Sequence, residues 1–311
     1  MKWIRTVDQS LPYINKSVLT IGNFDGIHLG HQKLLNTLVQ FAKVEKIPSV
    51  VVTFKPHPRL LLNPSAPNHR LFDFNDQFEM MKSLQIDYLI EEKFTKDFAL
   101  MTAEEFLELY LERYFKPSHL VVGYDFSFGK NRQGDLAFLK AYCDKKNILL
   151  SVVEAIQLNQ QIVSTSAIRQ YLENGDLKSA ENFLGRKFYI RGPVRVGFKR
   201  GRQIGVPTAN VSPDIEFIPR KGVYFSKVRW NNNYYFSITN IGFNPTFESN
   251  DSYLKVETHI FNFNKEIYGE QIQVELIFFL RDEMKFSSID QLKKQIQNDI
   301  QQAKKFFSLD D

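Results

Sequence analysis

Gly22-Asn23-Phe24-Asp25-Gly26-Ile27-His28-Leu29-Gly30-His31 packs three glycines and two histidines into ten residues. An apolar run at 18–21 leads into it like a buried strand, and Leu34, Leu35, Leu38, Val39, Phe41 and Ala42 follow at helical spacing. The stretch is expected to be a strand-to-helix turn, with Gly22 and Gly26 allowing tight turns and Gly30 leaving room for a ligand against the backbone. His28 and His31 stand three apart, so both imidazoles would point the same way from the first helical turn. That turn also exposes unpaired backbone N–H groups and the positive end of the helix dipole, a setting that favours an anion. These features suggest a phosphate site. Two plainer readings stay open: histidines that only decorate a helix start, and a pair that helps bind a metal, for which no third ligand is obvious nearby.

Outward from this turn, strand and helix alternate. A β-branched run at 49–54 stops at Lys55-Pro56-His57-Pro58, a helix is expected at about 76–84, and a short strand at 88–90. Thr102 and Glu105 form a capping box before Phe106, Leu107, Tyr110 and Leu111. Strands at 119–123 and 148–153 flank the loop 124–135 and a helix, and two helices at about 164–174 and 176–184 close this half. Repeated strand-helix units imply a doubly wound, Rossmann-like parallel sheet over residues 1–185, with ligands beyond the carboxyl ends of its strands. Past Gly185 the pattern becomes mostly β. Runs at 223–230 and 234–240 flank Asn231-Asn232-Asn233 as a hairpin, and further strands are expected at 254–261 and 271–280. Ser288 and Gln291 then cap a terminal helix with Leu292, Ile296, Ile300 and Ala303 on one stripe. Residues 186–311 are therefore expected to form a small antiparallel β-barrel or sandwich with a helix packed on it.

A chain of 311 residues, 43% hydrophobic and 24% charged, is large enough for two globular domains, each with its own core. Its one cysteine, Cys143, rules out an internal disulfide and a cysteine-based metal cluster. No apolar run reaches the roughly 20 residues of a membrane span, and the first ten residues lack the apolar core of a signal peptide, so a cytoplasmic protein with no membrane association is expected. A net charge of +5 permits nucleic-acid binding and fits polyphosphate ligands equally well.

Four further stretches could carry chemistry. Ser164-Thr165-Ser166 can cap the helix that begins there, with Arg169 one turn in reaching an anion at the same terminus; an ordinary cap with a surface arginine is the alternative. Asp125 lies between aromatic residues on the 124–135 loop, either as a turn residue or as a ligand contact, and His57 sits between prolines at a strand end. Arg186, Lys187, Arg191, Arg195, Lys199, Arg200 and Arg202 could be a nucleic-acid surface, a solvated face or a phosphate clamp. The adjoining run 201–210 favours the clamp, because it combines Gly201 and Gly205 with the side-chain oxygens of Thr208 and Asn210, hard ligands that magnesium accepts when it carries phosphates. It lacks the Lys-Ser/Thr end of a Walker A loop. Glu257 shares a strand face with Lys255 and His259, opposite Val256, Thr258 and Ile260, and by pattern alone it faces solvent.

The 22–31 turn resembles the His-x-Gly-His signature of the nucleotidyltransferase superfamily. Together with the stretches 53–58, 122–129 and 164–169, and with Pro207-Thr208-Ala209-Asn210, Glu257 and 280–286, it makes nearly the whole chain similar to bacterial bifunctional FAD synthetases, which join a riboflavin kinase to an FMN adenylyltransferase. The resemblance implies an N-terminal adenylyltransferase domain and a C-terminal kinase barrel, with riboflavin, FMN, FAD and ATP as ligands, Mg²⁺ as cofactor and no nucleic-acid partner. By the same resemblance His28 and His31 would hold ATP phosphates and stabilise departing pyrophosphate, alongside Gly22, Phe24, Asp25, Gly30, Ser164, Thr165 and Arg169. His57 and Asp125 would lie in the flavin-nucleotide site. In the barrel, Gly201, Arg202, Gly205, Thr208 and Asn210 would bind ATP, Thr208 and Asn210 the magnesium, and Glu257 would be the general base. Asn240-Ile241-Gly242 and Pro245-Thr246-Phe247 would form a loop near the flavin. Family members commonly carry two serines before a threonine where this chain has Ser164-Thr165-Ser166, so the hydroxyls are kept. Two rivals remain at this point: a nucleotidyltransferase for another phosphate-bearing acceptor, and an RNA- or flavin-binding regulator without catalysis.

Overall fold

In the computed structural model, which describes residues 1–5, 14–63, 70–197, 205–213, 215, 217–244 and 253–309, the alternation of strand and helix builds one six-stranded sheet. Its strands are β1 (Lys2–Arg5), β2 (Ser17–Ile21), β3 (Ser49–Lys55), β4 (Tyr88–Lys93), β5 (Pro117–Gly123) and β6 (Leu149–Val153). All neighbours run parallel, in the order β1-β4-β3-β2-β5-β6. β1 escapes sequence reading, because four residues with charges at both ends show no alternation; pairing with β4 makes it a strand. The chain adds β3 and β4 on one side of β2 and β5 and β6 on the other. The order therefore reverses between β2 and β5, where the connections diverge and leave a crevice beyond the carboxyl ends.

Helices α1 (Leu29–Glu45) and α2 (Phe74–Ser83) pack on the face that carries Val18, Val51, Leu89 and Val121. The helical run α3, residues 103–115, and α4 (Leu136–Lys146) pack on the face that carries Leu19, Val50, Val52 and Leu120. The expected capping box is present, with the Thr102 hydroxyl accepting from the Glu105 N–H and the Glu105 carboxylate from the Thr102 N–H. Cys143 is buried in this core, and burial pushes its thiol up to about 11, so it is no nucleophile near neutral pH. A small hairpin, β7 (Gln157–Leu158) and β8 (Gln161–Ile162), precedes α5 (Thr165–Asn174) and α6 (Leu177–Leu184). The chain divides into two compact units, one ending at Thr165 and one starting at Ser166, with the short stretch around Leu71 grouping with the second.

The second unit contains a closed antiparallel barrel of β9 (Tyr189–Arg195), β10 (Ala209–Val211), β11 (Gly222–Trp230), β12 (Asn233–Asn244), β13 (Tyr253–Ile260) and β14 (Gln271–Arg281), in the order β10-β13-β12-β11-β14-β9. The hairpin turn is two residues long rather than three. Asn231 and Asn232 both adopt positive φ, and Asn233 already pairs with Trp230, the geometry that matches the strands' right-handed twist. Alternation sends Tyr224, Ser226, Val228, Thr239, Ile241, Val256 and Thr258 inward, none more than 1% exposed. Ser226, Ser237, Thr239 and Thr258 satisfy one another through hydroxyl contacts of 2.7–2.8 Å, so the polar atoms are not stranded in the core.

Helix α7 (Ile289–Phe306), capped by Ser288 as expected, covers Val223, Phe225 and Ile238 on the outside of the barrel with Ile300 and Ala303. Its buried stripe also holds Asp299, which no apolar pattern reveals. Arg281 at the end of β14 donates to both Asp299 oxygens, at 2.6–3.1 Å, and Gln295 adds a bond of 2.8 Å. Among the described residues no helix is long and apolar enough to cross a membrane. Removing one partner of such a pair leaves an uncompensated buried charge. Arg281→Ala should therefore destabilise the barrel by about 3 kcal/mol, measured by urea unfolding through Trp230 fluorescence in a Trp3→Phe background.

Candidate active sites

The chain leaves β2 through three residues of positive φ: Phe24 at 49°, Gly26 at 81° and Ile27 at 38°. Gly26 is the residue suited to that backbone; Phe24 and Ile27 are held in it by burial, at 3% and 2% exposed. Hydrogen bonds fix the rest of the turn. The Asn23 carbonyl accepts from Gln77 Nε2 at 2.8 Å and from the Thr53 hydroxyl at 3.4 Å, and the Ile27 carbonyl accepts from Gln32 Nε2 at 2.8 Å. The Thr165 hydroxyl donates to the Asp25 carbonyl at 3.0 Å. In this arrangement Thr165 serves the loop, a different use from the helix cap expected of 164–166.

His28 is the N-cap of α1, with Nδ1 accepting from the His31 N–H at 3.3 Å. Because Nδ1 accepts, the neutral ring carries its proton on Nε2 and presents a donor there. The two imidazoles stack, centroids 3.7 Å apart and 18° from parallel, and the edge of Phe24 meets His31 at 5.4 Å. The space at two glycines is taken by the protein itself. A β-carbon on Gly30 would stand 3.1 Å from His28 Cε1, and one on Gly22 would meet the Phe24 ring at 3.0 Å. Gly30 therefore makes room for the His28 ring. Asn23 Oδ1 is buried without a partner among the described residues, an acceptor that sequence reasoning missed.

Asp125 is exposed at the carboxyl end of β5, next to β2 in the sheet, and so lies at the switch point with His28 and His31. Burial, with the Asp125 charge adding to it, raises the pKa of the neighbouring Tyr124 phenol. Downstream, Phe126 and Phe128 stack at 5.3 Å, and Phe128 and Gly134 exchange both backbone bonds at 3.0 Å, which stiffens the 124–135 loop. His57 caps the short helix Pro58–Leu62 through Nδ1 at the end of β3. Ser164 immediately precedes α5, and Arg169 lies one turn into it.

On the barrel, Asn210 in β10 stands opposite Glu257 in β13, and Asn240 in β12 stands opposite Glu257 from the other side. Side chains directly opposed in this way share a face. The reading of two faces on β13 holds: Val256 and Thr258 are buried while Lys255, Glu257 and His259 are half-buried. Lys255 Nζ pairs with Glu257 at 2.9 Å. His259 Nδ1 donates to the Pro207 carbonyl at 2.7 Å, tying the segment that carries Thr208 to β13, and burial lowers the pKa of this ring against the partial help of that bond. Asn210 rests on Gly197, where a β-carbon would lie 2.3 Å from Asn210 Nδ2. Gly205 is exposed with φ of 81°, and Thr208 is half-buried. Gly201, Arg202 and Pro245-Thr246-Phe247 lie outside the described residues. The pairing of Lys255 with Glu257 was open to sequence reasoning through their spacing of two on one strand face; the seat on Gly197 was not, since it joins residues thirteen apart across a strand pair.

The FAD synthetase family matches residues 11–167, and the riboflavin kinase family matches residues 184–307. A bifunctional riboflavin kinase/FMN adenylyltransferase from Haemophilus influenzae is 38% identical over 310 residues, spanning 99% of this chain and 100% of the relative. One from Bacillus subtilis is 36% identical over 296 residues, 94% of this chain and 93% of the relative. A crystal structure from Streptococcus pneumoniae, described as a macrolide-efflux protein, superposes with a TM-score of 0.86 at 31% identity over 96% of this chain and 97% of that one.

Gly197→Ala forces the Asn210 carboxamide from its seat. The variant should fold with a lowered barrel melting temperature and a displaced Asn210 side-chain amide signal in ¹⁵N NMR spectra, while signals from the first unit stay in place.

Proposed function

The chain belongs to the family of bifunctional riboflavin kinases/FMN adenylyltransferases, and from that premise we propose which residues perform each reaction. The protein phosphorylates riboflavin to FMN and adenylylates FMN to FAD, with ATP as co-substrate of both steps. We assign adenylyl transfer to residues 1–185 and the kinase reaction to 186–311, an assignment supported by the order of the two family matches. The observation that carries the reading of the first site is the stacked His28–His31 pair capping α1 at the switch point of the sheet.

In the first site an FMN phosphate oxygen attacks the α-phosphorus of ATP, a new P–O bond forms, and the bond to pyrophosphate breaks. His28 and His31 hold the departing phosphates from the α1 terminus, His28 through its Nε2–H, and form no covalent bond. The loop that bears Gly22, Phe24, Asp25 and Gly30 sets their position, Thr165 holds that loop through the Asp25 carbonyl, and Ser164 and Arg169 bind ATP. Asp125 and His57 receive the flavin nucleotide.

In the second site the ribityl hydroxyl attacks the γ-phosphorus and gives its proton to Glu257. Glu257 approaches this role paired to Lys255 and flanked by Asn210 and Asn240. Thr208 and Asn210 offer neutral oxygens, too few to hold Mg²⁺ alone and suited to an ion that arrives on ATP phosphates. When bound, the metal would neutralise phosphate charge. Gly205, with Gly201 and Arg202, completes the ATP-binding segment. A cytoplasmic location is supported by the ATP requirement and by a lone cysteine that has no disulfide partner.

Pure protein given riboflavin and MgATP should form FMN and then FAD on chromatography; if neither appears, the reading is wrong. His28→Ala should abolish FAD formation from FMN and spare riboflavin phosphorylation. Glu257→Ala should do the reverse, lowering kinase kcat by about 10²-fold or more. Equal loss of both activities in either variant would contradict two independent sites.

A further inference from the structure

The row that holds Glu257 extends one strand further than the assigned site. Asn210 faces Glu257 on one side and Arg195 of β9 on the other. The next residues along, Val194, Val211 and Val256, are 1–3% exposed and point into the barrel, so Arg195, Asn210 and Glu257 all stand on its outer face. Strand spacing puts Arg195 about 10 Å from Glu257 across the row, a gap in which a phosphate chain held by Asn210 would lie.

Two neighbouring cations described on this face, Lys255 and His259, are already engaged. Lys255 pairs with Glu257 at 2.9 Å, and His259 commits its Nδ1–H to the Pro207 carbonyl. The Arg195 side chain is exposed and makes no hydrogen bond or ion pair with any described residue. Phosphoryl transfer needs little covalent chemistry from the protein and much stabilisation of charge. An arginine fork is matched in shape to two phosphate oxygens and keeps its charge at any physiological pH.

We infer that Arg195 is a further catalytic residue of the kinase reaction, binding the β- and γ-phosphates of ATP; the inference rests on the reading of this face as the kinase site. As the ribityl oxygen bonds to the γ-phosphorus and its proton passes to Glu257, the γ-phosphorus–oxygen bond to ADP breaks and leaves its electron pair on the ADP oxygen. Arg195 meets the charge that builds there.

The test is steady-state kinetics of riboflavin phosphorylation by full-length Arg195→Ala, Arg195→Gln and Arg195→Lys, beside Asn210→Ala and Glu257→Ala. Arg195→Ala and Arg195→Gln should each lower kcat by about 10²-fold and weaken inhibition by ADP, with the riboflavin KM within twofold of the parent. Arg195→Lys, which keeps the charge and loses the fork, should recover part of the loss. Urea unfolding followed by Trp230 fluorescence in the Trp3→Phe background monitors folding of the barrel and should match the parent, as should FMN adenylylation, which reports the first unit. Kinase kcat within threefold of the parent in Arg195→Ala, while Asn210→Ala and Glu257→Ala are inactive, overturns the inference and leaves the site reading intact. Full phosphorylation by Asn210→Ala and Glu257→Ala overturns both.

Discussion

The backbone of positive φ between β2 and α1 is the constraint on which the first site depends. A β-branched residue at Ile27 with φ of 38° is costly, of the order of 1–3 kcal/mol for such a residue, and it persists only because its surroundings over-determine it. Gln77 and Thr53 hold the Asn23 carbonyl, Thr165 holds that of Asp25, and Gln32 holds that of Ile27. Bonds from four separate parts of the chain thus aim one turn. Its consequence is that His28 caps α1 and stacks on His31 at the carboxyl end of β2, beside the switch point of the sheet.

The barrel solves a different problem. Closure removes exposed edges, and strict alternation sends small hydroxyl and branched side chains inward while polar residues gather outside. A slip of one residue would exchange Glu257 for Thr258 and empty the site. The hydroxyl contacts linking Ser226, Ser237, Thr239 and Thr258 resist that slip, since it would leave buried hydroxyls without partners. The same register places Arg195, Asn210, Glu257 and Asn240 in one row, so the interior bonding pattern and the exterior chemistry depend on each other.

Much of this is legible in the chain. Strand and helix periodicity locates the longer elements of both units to within a few residues, because each buries one face and the period of burial is written in residue type; the barrel strands β9 and β10 and the small hairpin β7–β8 escape it, being short or interrupted by glycine and proline. Glycine and histidine spacing marks the 22–31 turn, and the two faces of β13 follow from alternation alone. The failures have physical causes. β1 is too short and too charged to show a period, Asp299 is polar where the stripe predicts an apolar residue, and the space beside Gly30 is filled by a neighbouring ring. Each depends on a partner distant in sequence or on a side-chain conformation that no local pattern encodes.

The sequence by itself determined the fold class, the order of the two units and the residue types available for phosphate chemistry, because these follow from local periodicity and from side-chain chemistry. Only the tertiary structure decided which of those residues stand together: His28 stacked on His31, Asn210 on Gly197, and Glu257 between Asn210 and Asn240. Strand order and register are set by global packing, which brings far-apart segments to distances that spacing along the chain does not define.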